Sequence, residues 1–302
     1  MKSKAAAFLF KITLFVLPVL IFFEVIFRLG FYPIMTTSTT YDMKMRQVRN
    51  QHIRNVKLLA IGSSVGLYGL NSSIIAHNLN SSYYNFASWG LQMADISDML
   101  KDYADEYNPQ YVMICSSFAD FTMPKNESYN NYLNVNSHIR NNFPEVFYFK
   151  KYYSIHQIIR RKFKTYPVLL DEWGGSCVPT NAKGKNKVQF VLHNVFPTKY
   201  TGMNYNYLDT LSDFLQSGHI KLIFIQAPIR KDCAGTTAQQ QVITTYFNQC
   251  KSIVEAHGGT YLNYYDNHVF ADSLFIDQYH LKSAGSVVLT NEIVRDLKGI
   301  VK

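Results

Sequence analysis

The stretch Leu58-Leu59-Ala60-Ile61-Gly62-Ser63-Ser64 decides how the rest of this chain reads. An apolar run that stops at a glycine and two serines describes a buried strand ending in a sharp turn, with a hydroxyl delivered at its carboxyl end. Alone, a serine there is most simply a helix cap. Asp277-Gln278-Tyr279-His280 adds an acid three residues before a histidine. Nucleophile, base and the acid that orients the base are the three parts of serine-dependent acyl transfer. More than two hundred residues separate the two stretches, so only a fold that joins both ends of the chain can assemble them.

Working outward, the chain alternates strands and helices. Strands are expected at 56–61, 82–87, 111–115, 220–226 and 260–264. Helices are expected at 71–78, 93–107, 237–256 and 283–297, with Gly258-Gly259 closing the third of these. Met93, Ile96, Met99, Leu100 and Tyr103 recur at helical spacing. Strands alternating with helices of this length imply right-handed crossovers and a parallel sheet covered on both faces. The middle, about 121–204, breaks the pattern and reads as an insertion over the carboxyl edge of the sheet, where such folds bind ligands. Within it, 149–164 carries Lys150, Lys151, Arg160, Arg161, Lys162 and Lys164 around apolar residues. That segment is either a basic amphipathic helix for a membrane or anionic polymer, or a solvated helix face.

The N-terminus carries a membrane signal. Lys2 and Lys4 precede an apolar stretch to Tyr32, interrupted by Lys11, Glu24 and Arg28. Its uncharged centre, Ile12 to Phe23, is short, but the flanking bases can snorkel and lengthen it. Residues 1–33 are therefore read as an uncleaved signal anchor, with a cleaved signal peptide as the alternative. Residues 34–55, polar and Thr-rich, read as a stalk, and 56–302 as the domain. Bases flank the apolar stretch on both sides, but a long following domain translocates largely regardless of charge, so an extracytoplasmic domain on a single-pass anchor is expected.

Thirty Lys and Arg against 21 Asp and Glu give a formal charge of +9, suited to an anionic polymer or lipid headgroups. No nucleic-acid motif accompanies it, and nucleic acid is not expected as a partner. Cys115, Cys177, Cys233 and Cys250 include no C-x-x-C pair, so neither a zinc site nor a thioredoxin-type site is expected, and no cofactor is implied.

With these residues in hand, the chain resembles the SGNH (GDSL-like) hydrolases, over most of 56–298 in its order of blocks. Gly62-Ser63-Ser64 resembles the first block, with Ser64 in the nucleophile position and Ser63 where the family has Asp. Asn85-Phe86-Ala87-Ser88-Trp89-Gly90 resembles the second block and implies Gly90, with Ser64, as backbone donor to an oxyanion. Asp277-Gln278-Tyr279-His280-Leu281 with Gly285 resembles the last block, with His280 as base and Asp277 as orienter. The third block departs: Ser117-Phe118-Ala119-Asp120 has Ala119 where the family places an oxyanion-binding asparagine. Losing such a donor typically costs ~10²–10³ in rate. Ser88, Ser116 or Ser117 are candidate substitutes, and backbone N–H groups alone are the alternative. The implied fold is α/β, a three-layer flavodoxin-like parallel sheet with an N-terminal membrane helix and a central insertion. Gly69-Leu70-Asn71 follows where membrane-anchored members of the family often carry a similar segment.

The resemblance implies an extracytoplasmic, membrane-anchored serine O-acyl esterase or acyltransferase on surface polysaccharide, working beside a membrane-bound O-acyltransferase. Trp173 and Asp120 are candidate substrate contacts, Trp173 equally a core anchor of the insertion. Two other readings stay open: a non-catalytic SGNH-fold scaffold or binding subunit, which Ala119 favours, and a membrane-held lipid or thioester hydrolase.

Overall fold

The computed structural model describes residues 2–28, 38–79, 81–122, 156, 159, 168–177, 203–230, 236–265 and 270–301. The chain divides into two units, 1–37 with 128–167, and 38–127 with 168–302. In the first, α1 (Lys2–Arg28) contains a stretch, Lys4–Phe23, long and apolar enough to cross a membrane, none of it buried in the structure. Its side chains are apolar on every side, which suits a helix surrounded by lipid. The basic segment 149–164 and most of the insertion lie outside the described residues.

The second unit opens with α2 (Thr39–Asn50) and continues through β1 (Leu58–Gly62), α3 (Ser64–Gly69), α4 (Ser72–Asn78), β2 (Tyr83–Asn85), α5 (Met93–Tyr107) and β3 (Tyr111–Ser116). After the insertion come α6 (Asn206–Ser217), β4 (Lys221–Gln226), α7 (Thr237–Ala256), β5 (Thr260–Asn263) and α8 (Ser283–Leu297). The strands form one parallel sheet in the order β2-β1-β3-β4-β5. This is the flavodoxin-like order, with its switch point between β1 and β3. Helices α3, α4 and α8 pack together on one face, and α5, α6 and α7 on the other. Leu58 and Ala60 of β1, Met113 and Cys115 of β3, and Ile223 and Ile225 of β4 face Leu289, Ile293 and Leu297 of α8. The alternate residues of the same strands, such as Leu59, Ile61 and Phe224, are equally buried. Both faces of a parallel sheet are covered, so its strands read as continuous apolar runs rather than as alternations.

The sheet forms where β-branched and aromatic runs meet breakers. Asn108 takes the left-handed conformation (φ 47°) that ends α5, and Pro109 follows before β3 begins. The capping box at Thr236 and Gln239 starts α7. Asn71 caps α4 through Ile74 N–H at 3.1 Å, so the Gly69-Leu70-Asn71 segment is a helix-to-helix turn.

The stalk expected at 34–55 is corrected for its central part. Thr39–Asn50 is a helix, and Tyr41, Lys44, Met45 and Val48 are buried on one side of it. Their spacing of three and four is that of a helix face, interrupted by a lysine. The Tyr41 hydroxyl meets that of Tyr103 on α5 at 3.0 Å. The Thr run and scattered bases hid this stripe, and the segment belongs to the sheet's own unit.

Candidate active site

The site grows from the end of β1. Gly62 pairs with Cys115 of β3, and a Cβ at Gly62 would collide with the Cys115 carbonyl oxygen. The glycine therefore lets β1 end tight against β3. Ser63 follows in extended backbone (φ −77°, ψ −161°) and its hydroxyl accepts from Val65 N–H at 3.2 Å, capping α3. Ser64 is the first residue of that helix.

The other half comes from the chain's far end. Between the short helix Asp272–Leu274 and α8, residues 275–281 double back, with Ile276 N–H donating to the His280 carbonyl at 2.9 Å and Lys282 N–H to the Leu274 carbonyl at 2.8 Å. A side chain at Gly285 would overlap both Leu274 and Leu281, so the glycine four residues past that leucine allows α8 to press against this loop. Asp277 Oδ1 accepts the N–H groups of Tyr279 and His280 at 3.0 and 2.9 Å, which fixes the carboxylate. Its Oδ2 lies 2.7 Å from His280 Nδ1, and His280 Nε2 lies 2.7 Å from Ser64 Oγ. With Asp277 ionised, Nδ1 carries the proton and Nε2 is left to accept from the serine. Burial alone would raise the Asp277 carboxyl, but the imidazole and the two N–H donors outweigh it and hold it below the usual carboxylate range.

Tyr68, absent from the sequence reading, and Trp89 of the second block complete the surroundings. Tyr68 lies four residues after Ser64, on the same helix face, and meets the His280 ring edge-on at 5.7 Å. The Trp89 indole donates to the Tyr68 hydroxyl at 2.8 Å. Burial raises the Tyr68 phenol, against the pull of that bond, so it stays neutral. The four-residue spacing was the signal that could have marked Tyr68.

The second block forms a loop tied to the same strand end. Ser88 N–H donates to the Gly62 carbonyl at 2.9 Å, and Asn85 Oδ1 accepts from Ala87 N–H at 2.8 Å. Gly90 sits exposed on this loop with φ +74°, two residues past the tie to β1. The candidate side-chain donors are spoken for or enclosed. Ser88 donates to the Phe86 carbonyl at 3.3 Å and Ser116 to Asp120 at 2.9 Å, while the Ser117 side chain is fully buried. Ala119 is part-exposed, and its carbonyl faces the Gln92 side-chain amide; with that amide turned so that its nitrogen points inward, it donates to Ala119 O and Asp120 O at 3.2 Å.

Two expected substrate contacts are corrected. Asp120 is 3% exposed and its carboxylate is taken up by protein donors: Ser116 Oγ at 2.9 Å, Ser117 N–H at 3.0 Å and the Ser63 hydroxyl. It is an internal group. Trp173 lies elsewhere. Its ring packs on His77 at 5.3 Å and borders a cleft of about 460 Å³ with Val56, Ser82 and Arg54. Val56 and Ser82 precede β1 and β2, so this cleft opens at the end of the sheet opposite Ser64.

No protein-family model matches the chain, and no curated protein matches it. Solved structures do. A GDSL-like lipase from Bacteroides thetaiotaomicron is similar at 10% identity and a TM-score of 0.45, over 86% of this chain and 99% of that one. A catalytic mutant of an acetylxylan esterase from Geobacillus stearothermophilus is similar at 13% identity and a TM-score of 0.44, over 81% of this chain and 94% of that one. Strand order β2-β1-β3-β4-β5 is that of a flavodoxin-like parallel α/β fold, and it brings a serine at the end of β1 to an Asp-x-x-His loop ahead of the last helix.

Proposed function

We propose that this protein is a serine O-acyl esterase or O-acyltransferase that works through an acyl-serine intermediate, attached to a membrane and acting outside the cytoplasm on acylated surface polysaccharide. One observation carries the reading: Ser64 Oγ, His280 and Asp277 are aligned by two contacts of 2.7 Å, with the imidazole between a fixed carboxylate and a serine hydroxyl. His280 Nε2 takes the Ser64 proton as Oγ attacks the ester carbonyl, and Asp277 steadies the imidazolium that forms. The carbonyl oxygen gains negative charge, and the N–H groups of Ser64 and Gly90 are the donors available for it. The tetrahedral intermediate collapses, the alcohol leaves with the proton from His280, and the acyl group stays on Ser64. Water or a sugar hydroxyl then attacks the acyl-serine by the same steps in reverse. Water yields an esterase and a glycan hydroxyl yields an acyltransferase. The glycan assignment is supported by the +9 formal charge, which suits an anionic polymer, and the attachment by the apolar N-terminal helix. A membrane-bound O-acyltransferase is the partner that this assignment suggests.

A specific observation favours a second reading, a scaffold that keeps the fold without the chemistry. Ala119 supplies no amide, and among the described residues Ser88, Ser116 and Ser117 are engaged or enclosed rather than placed to replace it. A fluorophosphonate probe separates the two. Labelling at Ser64 that disappears in Ser64→Ala, and nearly so in His280→Ala, is the expected result, because the members act as a unit. Wild-type protein that the probe leaves unlabelled would establish the scaffold instead.

A further inference from the structure

Asp120 is buried beside the site but touches neither Ser64 nor the imidazole. It stands in the short turn Phe118–Phe121 just beyond β3. Gly62 of β1 pairs with Cys115 of β3, and one residue further on Ser63 and Ser116 both turn their hydroxyls to the Asp120 carboxylate. A hydroxyl has one proton to give. Ser63 gives it to Asp120 and accepts from Val65 N–H, so its one proton is committed. The carboxylate thus reaches the first turn of α3, and with it Ser64, through a single side chain. It also feels the charge of His280. The other titratable groups it faces are Cys115 on β3 and Tyr246 on α7, both pushed up by burial and neutral near pH 7.

We infer that Asp120 is a positioning residue for the Ser64–His280 pair: through Ser63 it fixes the start of the nucleophile's helix, and as a buried anion it favours the imidazolium that forms when His280 takes the Ser64 proton. This rests on the serine-nucleophile reading above. The two carboxylates divide the task. Asp277 touches the ring and sets its tautomer, whereas Asp120 contributes charge at longer range and mechanical hold. Burial pushes the Asp120 carboxyl up to about 6, against the three donors and the His280 charge.

The test reads the rate of fluorophosphonate labelling of full-length protein in detergent between pH 5 and 9. In Asp120→Asn the rate at pH 8 falls roughly tenfold, as a small misplacement of the nucleophile implies. Its acid limb also moves to lower pH, because the Asp120 carboxyl, which burial pushes up to about 6 in the wild type, is no longer there to titrate. A purely structural role would lower the rate and leave the limb where it was, and that result overturns the inference, as does a wild-type rate and profile. Should Asp120→Asn fail to fold by circular dichroism, Ser63→Ala and Ser63→Thr decide. Slower labelling in Ser63→Ala that Ser63→Thr restores supports the link, and unchanged labelling in both sinks it. Ser64→Ala is the control that separates the two claims. If it still labels, the nucleophile assignment fails and the inference falls with it; if it does not label while Asp120→Asn behaves as wild type, only the inference fails.

Discussion

Two polar clusters hold the β1–β2 half of the sheet, and they differ in what surrounds them. At the carboxyl edge, the His280 and Asp277 side chains keep 25% and 23% of their surface exposed, and Ser64 faces a part-open space. Along the edge of β2, Lys44 of α2 is wholly buried and its ammonium donates to the backbone carbonyls of Asn85, at 2.5 Å, and Gly174. Asn85 N–H in turn donates to Trp173 O at 2.8 Å, and Asp171 Oδ1 ties the turn with Trp173 and Gly175 N–H at 3.0 and 2.7 Å. The second cluster covers the outer edge of β2, which would otherwise present open ladder groups. Both clusters join segments far apart in the chain. One leaves a hydroxyl and a ring nitrogen accessible to a reactant; the other spends its donors on carbonyls and shuts out water. On the proposed function, chemistry belongs with the accessible cluster and stability with the enclosed one.

That division can be broken at four points. The largest effect is expected at Asp277→Asn, which keeps the shape but loses the charge that sets the His280 tautomer. Turnover of a simple acetyl ester should fall about 10⁴-fold, with the urea midpoint little changed; a loss in stability as large as the loss in rate would erase the distinction. Next is Gly174→Ala. Its φ of +78° disfavours any side chain, and a Cβ there would come within 2.5 Å of the Asn85 carbonyl oxygen and 2.7 Å of the Tyr84 ring. The expected cost is about 2–4 kcal/mol of stability, read by urea unfolding, with the activity per folded molecule retained.

Lys44 sharpens the comparison through pH. Burial pushes its ammonium well below the usual lysine range, and Asp171 only partly opposes this. The folded state then binds fewer protons than the unfolded state as the pH approaches the ordinary lysine value, so this group makes stability rise as the solution turns alkaline. Urea midpoints at pH 7 and 9.5 should show that rise in wild type and lack its Lys44 component in Lys44→Met. Equal slopes in the two proteins would mean that the ammonium is not desolvated as its burial implies. The smallest effect is expected at Ala119→Asn. The position is part-exposed, so an amide fits, and turnover should rise by less than the ~10²–10³ that removal of a native oxyanion donor costs. The gain should appear in kcat rather than KM, because the new bond strengthens as charge develops.

Much of the fold was legible because the apolar runs are long and bounded by clear breakers. The helices at 93–107, 237–256 and 283–297 have the expected ends, and each of the five strands lies within two residues of its expected span. What escaped was α2, whose buried side includes a lysine, together with the short α3 and with α6, which follows directly on the Asn- and Tyr-rich insertion. Lysine in an apolar stripe argues for solvent until two carbonyls are known to receive it. At the site, Ser64, Asp277 and His280 were readable from type and spacing. Tyr68 was missed because an aromatic on a short helix has no motif of its own. Trp173 was misplaced because a solitary aromatic in an insertion carries no information about which edge of the sheet it meets.

By itself, the sequence determined the alternation of strands and helices, the apolar N-terminal helix, the serine at a strand end and the acid three residues ahead of a histidine. These depend on local periodicity and on neighbours within a few positions, where chain geometry leaves little choice. Only the tertiary structure decided that Ser64 meets His280 across the join of the chain's two ends, that Asp120 turns inward to Ser63, and that Lys44 lies buried against β2. Each is a contact between residues distant in sequence, set by strand order and register, and a hydrogen-bonding side chain acquires a role only when packing settles which partner it faces and whether water can compete.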